Sequence, residues 1–273
     1  MSTSQAKPTV PTPSADGYVD GVLANTAVRT RERLDVLDAL FAPATERVLT
    51  DLDLPASGRF AEIGAGGGAT ARWLARARPG ATVLATDIDP ALFDGAGLPN
   101  LSIVRHDVRT GRLPAAAFDL VHCRAVLSHI PDRERVIRRM SEWVAPGGWL
   151  VIEEPLICPL GDSAYPAFGR LTTAIEEVLR RTGTDVRWPR HVARSLGELG
   201  WADLGMSALM CPCYRGSLGN EAMRLTAVQA LPPMVENGVL SPEEAEAGLA
   251  CLDDKAFAEI GFSLISAWTR RPS

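Results

Sequence analysis

The chain has 273 residues, of which 46% are hydrophobic and 22% charged, the composition of an ordinary globular protein. Its net charge is −5, its pI is about 5.5 and no basic patch dominates, so the sequence argues against a nucleic-acid partner. No apolar run approaches the ~18 residues of a membrane span, and the five cysteines lack zinc-binding spacing. We therefore expect a reduced, cytoplasmic protein with no membrane partner and no metal.

The N-terminal part of the chain divides into a polar tail and a helical region. Residues 1–16 are rich in Ser, Thr and Pro and lack the apolar core of a signal peptide, which predicts a disordered tail. Residues 17–57 predict N-terminal helices, because apolar side chains recur there at helical spacing. The recurring side chains are Leu34, Leu37 and Phe41. Pro43 interrupts this pattern and predicts a break between two helices.

A glycine-rich loop at 64–68 is the most informative stretch of the sequence. It follows a predicted strand, Arg59 to Ile63, and precedes a predicted helix, Ala69 to Ala77, and four of its five residues are glycines. Glycine adopts positive φ angles and lets a ligand approach the backbone closely. The N-terminus of the helix adds free N–H groups and the positive end of the helix dipole. The loop therefore predicts a binding site for an anionic or strongly polar ligand.

Strands and helices alternate along the rest of the chain. Further strands are predicted at 81–86, 101–104, 118–123, 149–152, 206–211 and 262–268. This alternation predicts an α/β fold with a Rossmann-like, doubly wound sheet, whose ligands bind beyond the carboxyl ends of the parallel strands. A mostly helical stretch separates the last two predicted strands, which favours a lid or a substrate-binding element.

Polar side chains follow several of the predicted strands, in the region where such sheets bind ligands. Asp87 lies about 20 residues beyond the glycine loop, where a carboxylate can accept hydrogen bonds from both hydroxyls of a ribose. Asp107 can accept a hydrogen bond from an adenine amino group, or it can cap the turn that follows it. His129 and Glu154 are the candidates for a general base, although His129 can also cap the turn before Pro131.

Two cofactors fit the glycine loop. Gly64, Gly66 and Ala69 satisfy the dinucleotide pattern G-x-G-x-x-G/A, so an NAD(P)-dependent oxidoreductase is the main alternative. Glu62 argues against a dinucleotide, because a carboxylate just before the loop suits an ammonium group better than a pyrophosphate. The sequence also lacks a Tyr-x-x-x-Lys pair of the kind used in hydride transfer.

Six motifs between residues 58 and 155 resemble, in order and spacing, those of class I S-adenosylmethionine-dependent methyltransferases. The motifs are Glu62–Gly68, Asp87–Pro90, His106–Val108, Phe118–Val121, Leu127–Ile130 and Ala145–Gly148. The flanking segments resemble the small-molecule, natural-product methyltransferases of actinobacteria. The resemblance implies S-adenosyl-L-methionine as the cofactor and a seven-stranded sheet with an antiparallel last strand.

The resemblance also implies which residues hold each part of the cofactor. The methionine part would be held by Glu62, Gly64, Ala65 and Gly66, with the backbone of Cys123 and Arg124 beside its amino group. The ribose would bind Asp87, and the adenine ring would contact Ile88, Asp107 and the amide of Val108. Arg33 would reach the cofactor carboxylate from the N-terminal helices, unless it is a solvated helix arginine.

The predicted function is methyl transfer to a small metabolite by a single domain, residues 17–273. Its cofactor-binding core would be 58–155, and its lid or substrate elements would be 156–185 and 212–260. These segments are rich in apolar side chains, which favours an apolar or aromatic acceptor such as a natural-product intermediate, with a prenyl diphosphate as a special case. A cofactor-binding scaffold that transfers no methyl group is the alternative outside catalysis. A homo-oligomer is compatible with the sequence.

Overall fold

The structure, a computed structural model, describes residues 22–23, 29–158 and 162–273 of the chain. The predicted tail at 1–16 lies outside the described residues, so its disorder and the domain boundaries at 17–273 stay predictions. Within the described ranges, none of the helices combines the length and the apolar character needed to cross a bilayer.

A seven-stranded sheet forms the centre of the fold. Its strands are β1 (Arg59–Ile63), β2 (Thr82–Asp87), β3 (Leu101–Arg105), β4 (Phe118–Arg124), β5 (Val144–Ile157), β6 (Ala202–Tyr214) and β7 (Ala258–Arg270). Their spatial order is β3-β2-β1-β4-β5-β7-β6. Strands β1 to β5 pair in parallel, whereas β7 runs antiparallel to both of its neighbours. The predicted Rossmann-like sheet with an antiparallel last strand is confirmed.

Helices cover both faces of this sheet. They are α1 (Thr30–Asp51), α2 (Ala69–Ala77), α3 (Arg133–Trp143), α4 (Pro166–Arg181), α5 (Val192–Gly197), α6 (Leu218–Glu236) and α7 (Pro242–Asp253). One apolar core lies between the sheet and helices α1 and α2, and a second lies between the sheet and helices α3 and α5. A third core joins α4, α6 and α7 to the end of the sheet that contains β6 and β7.

Two of the helices continue through proline residues. Helix α1 continues through Pro43 without interruption, so the predicted break there was wrong. Helix α6 continues through Pro232 and Pro233. A proline inside a helix costs about 3 kcal/mol, because it removes one N–H donor and crowds the preceding turn. In α1, the burial of Phe41 and Val48 on either side of Pro43 offsets this cost.

Candidate functional site

A cavity lies at the carboxyl ends of β1, β2 and β4, against helix α1. Ten of the predicted site residues line it: Glu62, Gly64, Ala65, Gly66, Asp87, Ile88, Asp107, Val108, Arg124 and His129. Helix α1 contributes an apolar wall made of Leu34, Leu37 and Phe41. The sequence pattern identified these three residues only as one face of a helix, because their distance from the glycine loop along the chain gives no signal of contact.

The glycine loop forms one edge of the cavity, and its glycines are required for different reasons. Gly64, Gly66 and Gly68 all have positive φ angles, of 70°, 52° and 85°. A Cβ atom on Gly64 would lie 2.2 Å from Val126 Cγ2, whereas a Cβ atom on Gly66 would meet no protein atom within 4 Å. Gly64 therefore permits close packing of the loop on the β4 side, and Gly66 keeps space open in the cavity wall.

Asp87 connects the end of β2 to the glycine loop. Its Oδ2 accepts a hydrogen bond from the N–H of Gly66 at 2.8 Å, and its Oδ1 accepts one from the N–H of Asp89 at 2.9 Å. Burial raises the pKa of Asp87 above its ordinary range, although these two amides act in the opposite direction. The carboxylate lines the cavity and at the same time fixes the loop beside it.

Asp107 caps the turn that follows β3, as one of its two sequence-based interpretations predicts. Its Oδ1 accepts a hydrogen bond from the N–H of Arg109 at 2.9 Å, and its Oδ2 lies 2.8 Å from Arg109 Nη2. The hydrogen bond from the Arg109 side chain lowers the pKa of Asp107. Arg109 also lines the cavity and was missed by the sequence analysis. The contact of Asp107 with an adenine stays a prediction.

Glu62 and Arg124 line the cavity from the ends of β1 and β4. Glu62 is buried, and its Oε2 lies 2.5 Å from Nδ1 of His122. Arg124 forms an ion pair with Asp38 of helix α1, which is also in the cavity wall. On the side next to α1 and β1, the cavity wall therefore contains two carboxylates, Glu62 and Asp38, which contact His122 and Arg124 respectively.

His129 lies in the short helical turn Leu127–His129 and lines the cavity. Its Nδ1 is 3.0 Å from Thr184 Oγ1. Burial lowers the pKa of His129 to about 4, and the positive charges of Arg33 and Arg133 act in the same direction. The imidazole is therefore neutral at pH 7, with one nitrogen able to accept a hydrogen bond and the other able to donate one.

Glu154 lies behind the cavity wall and does not line it. Its Oε1 accepts hydrogen bonds from the N–H groups of Val126 at 3.0 Å and Leu127 at 2.7 Å, and its Oε2 accepts one from Ser128 Oγ at 2.8 Å. The same turn includes Ala125 in the left-handed region, with φ of 58°. The role of Glu154 as a base stays a prediction, and this geometry favours a role in holding the turn that contains His129.

Arg33 and Cys123 are the other two predicted site residues that do not line the cavity. Arg33 is buried, and its Nε donates a hydrogen bond to Gln229 Oε1 at 2.9 Å. The Cys123 side chain is buried in the core between the sheet and α3. Burial raises the pKa of its thiol well above the ordinary value. The proposed cofactor contacts of both residues stay predictions.

The comparison with known proteins gives one family and several relatives. Residues 32–201 match the family model described as a methyltransferase domain. Over 126 residues the chain is 37% identical to methyltransferase str2 of Strobilurus tenacellus, covering 45% of this chain and 44% of that protein. Over 115 residues it is 35% identical to a trans-aconitate 2-methyltransferase of Variovorax paradoxus (strain S110), covering 41% of this chain and 44% of that protein. The chain thus spans less than half the length of these two relatives.

The fold is similar to that of a solved methyltransferase. The neighbour is a Haemonchus contortus phosphoethanolamine N-methyltransferase 2 in complex with phosphomonomethylethanolamine and S-adenosylhomocysteine. The TM-score is 0.59, and the alignment covers 90% of this chain and 58% of that one. At 14% sequence identity, the similarity shows a shared fold and says nothing about the acceptor.

Proposed function

Because the chain belongs to the methyltransferase domain family, we propose that it transfers the methyl group of S-adenosyl-L-methionine to a small molecule. The cavity is the observation that supports this most, since the glycine loop, Asp87 and Asp107 all line it. These are the residues that the resemblance assigns to the methionine, ribose and adenine parts of the cofactor. We also propose that the chain belongs to a natural-product subfamily. The two named relatives, one fungal and one bacterial, do not by themselves define such a subfamily.

The side chains in the cavity fit the chemical groups of this cofactor. Its α-ammonium group would face the carboxylate of Glu62, and its ribose hydroxyls would donate to Asp87. Its adenine ring would pack on Ile88 beside Asp107 and Val108. The cofactor supplies a sulfonium whose methyl group is already electrophilic. The protein therefore has to orient the acceptor and exclude water from the cavity.

The open space at Gly66 provides a test of cofactor contact. We expect Gly66→Ala to fold with a loss of about 1 kcal/mol from the positive φ angle. We also expect it to bind S-adenosylhomocysteine about 10-fold more weakly, because the new methyl group occupies space that the ligand requires. Urea unfolding measures the first effect, and isothermal titration calorimetry measures the second.

Gly97→Ala is the matched control for Gly66→Ala. Gly97 has a φ of 65°, a Cβ atom there would meet no atom within 4 Å, and the residue is not in the cavity wall. It should lose similar stability and keep the native affinity. Native affinity in Gly66→Ala would mean that the ligand does not approach this part of the loop.

The apolar wall of the cavity supports an apolar or aromatic acceptor. Leu34, Leu37 and Phe41 present hydrocarbon and an aromatic ring to the cavity. The two arginines in the wall, Arg109 and Arg124, are each paired with an aspartate within the described residues. Paired guanidinium groups are poorly suited to bind a further diphosphate, so this wall does not favour a prenyl diphosphate as the acceptor.

His129 is the cavity residue that we assign to the acceptor's nucleophilic atom. Because the pKa of His129 is about 4, its imidazole is neutral at pH 7 and can accept a hydrogen bond from that atom and orient it, although so low a pKa does not favour proton abstraction. We expect His129→Ala to lower kcat by about 100-fold and to leave the affinity for S-adenosylhomocysteine unchanged. In the native protein, protonation of His129 should cause no loss of kcat between pH 8 and about pH 5.

The control for His129→Ala is His191→Ala, at an exposed histidine. Unchanged kcat in His129→Ala would mean that positioning by the rest of the cavity suffices.

The family match does not favour the NAD(P)-dependent oxidoreductase, whereas a scaffold that binds the cofactor without using it is tested directly. The protein is incubated with a small-molecule extract and S-adenosylmethionine that carries a deuterated methyl group. Mass spectrometry should find a deuterated product whose amount falls strongly, at micromolar cofactor, when Asp87→Ala replaces the native protein. The scaffold is supported if the cofactor binds and no labelled product forms from any extract.

We also propose that the predicted homo-oligomer is a dimer formed through β6. This strand lies at the edge of the sheet, and from Leu204 to Tyr214 its side chains are exposed at every second position. From Leu204 onward the exposed side chains are Leu204, Met206, Ala208, Met210, Pro212 and Tyr214, whereas Ala202 and Asp203 are exposed beside the bulge at the start of the strand. The six exposed side chains from Leu204 to Tyr214 carry no charge, and the exposed charge of this strand, Asp203, lies at its first bulge; edge strands of monomers commonly carry charges along their length that prevent association. Met206 and Met210 lie at equal distances from Ala208 along the strand, so a twofold axis at Ala208 would place Met206 of one copy against Met210 of the other.

The dimer is tested by light scattering after size-exclusion chromatography. We expect the native protein to be a dimer at micromolar concentration and the double variant Met206→Glu/Met210→Glu to be a monomer, because four buried carboxylates would repel each other. Val104→Glu is the control, since Val104 is an exposed apolar residue on β3 at the opposite edge of the sheet. A monomeric native protein, or a double variant that stays dimeric, would contradict this proposal.

A further inference from the structure

A row of buried polar side chains runs behind the cavity wall, and the methyl-transfer proposal uses only its first member, Glu62. His122 on β4 is fully buried between the carboxylates of Glu62 on β1 and Glu153 on β5. Its Nδ1 is 2.5 Å from Glu62 Oε2, and its Nε2 is 3.2 Å from Glu153 Oε2. The sheet register explains the first contact, because Glu62 and His122 are partner positions on adjacent parallel strands.

Glu153 is held from its other sides as well. Its Oε1 accepts a hydrogen bond from Ser266 Oγ of β7 at 2.5 Å, and its Oε2 accepts one from Thr45 Oγ1 of α1. The Thr45 hydroxyl in turn accepts a hydrogen bond from Arg124 Nη1 at 3.0 Å, and Arg124 is paired with Asp38. The row therefore begins at the cavity wall with Glu62, passes through the sheet, and returns to the cavity wall at Arg124 and Asp38.

We propose that His122 is a positioning residue that holds the Glu62 carboxylate in the orientation that the methionine part of the cofactor requires. This inference rests on the proposed role of Glu62 in the cofactor site. One oxygen of Glu62 is fixed by a short hydrogen bond from an imidazole that is itself fixed at its other nitrogen. Such a chain of buried hydrogen bonds restricts the carboxylate more than a single contact does.

The charges in this row suit a cationic ligand group. Burial acts to lower the pKa of His122, but the carboxylates of Glu62 and Glu153 outweigh it and raise the pKa to about 9. Burial acts to raise the pKa of Glu153, but the hydrogen bond and the charge from His122 bring it below its ordinary value. At pH 7 one imidazolium thus faces two carboxylates, and the Arg124–Asp38 pair adds no net charge. The remaining negative charge favours an ammonium group beside Glu62.

Two ligands separate positioning from a merely structural role. S-adenosylhomocysteine carries the amino-acid part that would contact Glu62, whereas 5′-methylthioadenosine has the same nucleoside without it. His122→Asn keeps an amide that can donate toward Glu62 but removes the positive charge and the contact with Glu153. We expect this variant to bind S-adenosylhomocysteine about 10-fold more weakly and 5′-methylthioadenosine with native affinity, as measured by calorimetry. His191→Asn, at an exposed histidine, should bind both ligands as the native protein does.

An equal loss for both ligands in His122→Asn, or no loss for either, would overturn the inference. Glu62→Gln keeps this failure separate from that of the proposed function. If Glu62→Gln weakens S-adenosylhomocysteine alone and His122→Asn weakens neither ligand, the role of His122 fails and the cofactor site stands. If Glu62→Gln changes neither affinity, the assignment of Glu62 fails as well.

Should His122→Asn not fold, Ser266→Ala provides a second test, because it removes one hydrogen bond from Glu153. We expect Ser266→Ala to weaken the binding of S-adenosylhomocysteine about threefold and to leave that of 5′-methylthioadenosine unchanged. An equal loss for both ligands, or no loss for either, again overturns the inference.

Discussion

Replacing Asp87 by alanine is expected to weaken the binding of S-adenosylhomocysteine by about 100-fold. The carboxylate would accept charged hydrogen bonds from the ribose hydroxyls, and each such bond contributes about 1.5–3 kcal/mol. The substitution also leaves the N–H group of Gly66 without its acceptor, which loosens the loop that faces the methionine part. Isothermal titration calorimetry of the native protein and the variant measures the change in affinity.

The control for Asp87→Ala is the neighbouring carboxylate. Asp89 accepts a hydrogen bond from the N–H of Ala91 at 3.2 Å and does not line the cavity, so Asp89→Ala should keep nearly native affinity. The pH dependence adds a second check. Because burial raises the pKa of Asp87, the affinity of the native protein should fall on acidification at a higher pH than for an exposed aspartate. Native affinity in Asp87→Ala would remove this residue from the ribose site.

The second large effect is a loss of folding stability, which we expect for Gly64→Ala. The added methyl group would have a positive φ angle of 70° and would lie 2.2 Å from Val126 Cγ2. Val126 cannot easily move, because its side chain is β-branched and its N–H is bound by Glu154 at 3.0 Å. We expect the free energy of unfolding to fall by about 3 kcal/mol, from the backbone strain and the steric clash together.

Urea unfolding of Gly64→Ala and Gly97→Ala separates these two contributions. Gly97 has a similar positive φ angle and open space at its Cβ position, so Gly97→Ala should lose only about 1 kcal/mol. The difference between the variants measures the clash with Val126. Equal losses in both would mean that the turn after β4 yields to the added methyl group, which contradicts the rigid turn inferred from the contacts of Glu154.

The side of the cavity that contains the glycine loop could be predicted because it is made of local motifs. The glycine loop directly follows β1 and Asp87 directly ends β2, so each motif carries its own position in the sheet. In parallel strands all carboxyl ends lie at one edge, so residues in separate motifs are brought together by topology alone. This is why Asp87, Asp107 and Arg124 all line the same cavity.

Contacts between distant segments could not be predicted in this way. The wall from Leu34, Leu37 and Phe41 depends on how helix α1 crosses the sheet, and a helical pattern does not specify its partner. The sequence does not indicate a role for His122, because only the register of β1 against β4 places it beside Glu62. Glu154 was selected because it follows the predicted strand 149–152, whereas β5 continues past it to Ile157. The three amides that bind Glu154 belong to a turn whose geometry the sequence does not reveal.

Helix continuity through Pro43 was also beyond the sequence pattern. The sequence shows only that proline lacks an N–H donor, which predicts a break. Whether the helix continues depends on the burial of Phe41 and Val48 in the folded protein. The predicted lid segments are likewise packed helices in the described structure, since α4, α6 and α7 share one apolar core with the sheet.

The measurement that tests the central claim most directly is a calorimetric comparison of two ligands with the native protein. S-adenosylhomocysteine and NADPH are titrated separately under the same conditions, and each titration is repeated with Asp87→Ala. The proposed function predicts micromolar binding of S-adenosylhomocysteine that Asp87→Ala weakens about 100-fold, and no binding of NADPH. Binding of NADPH without binding of S-adenosylhomocysteine would contradict the methyltransferase proposal and favour the oxidoreductase.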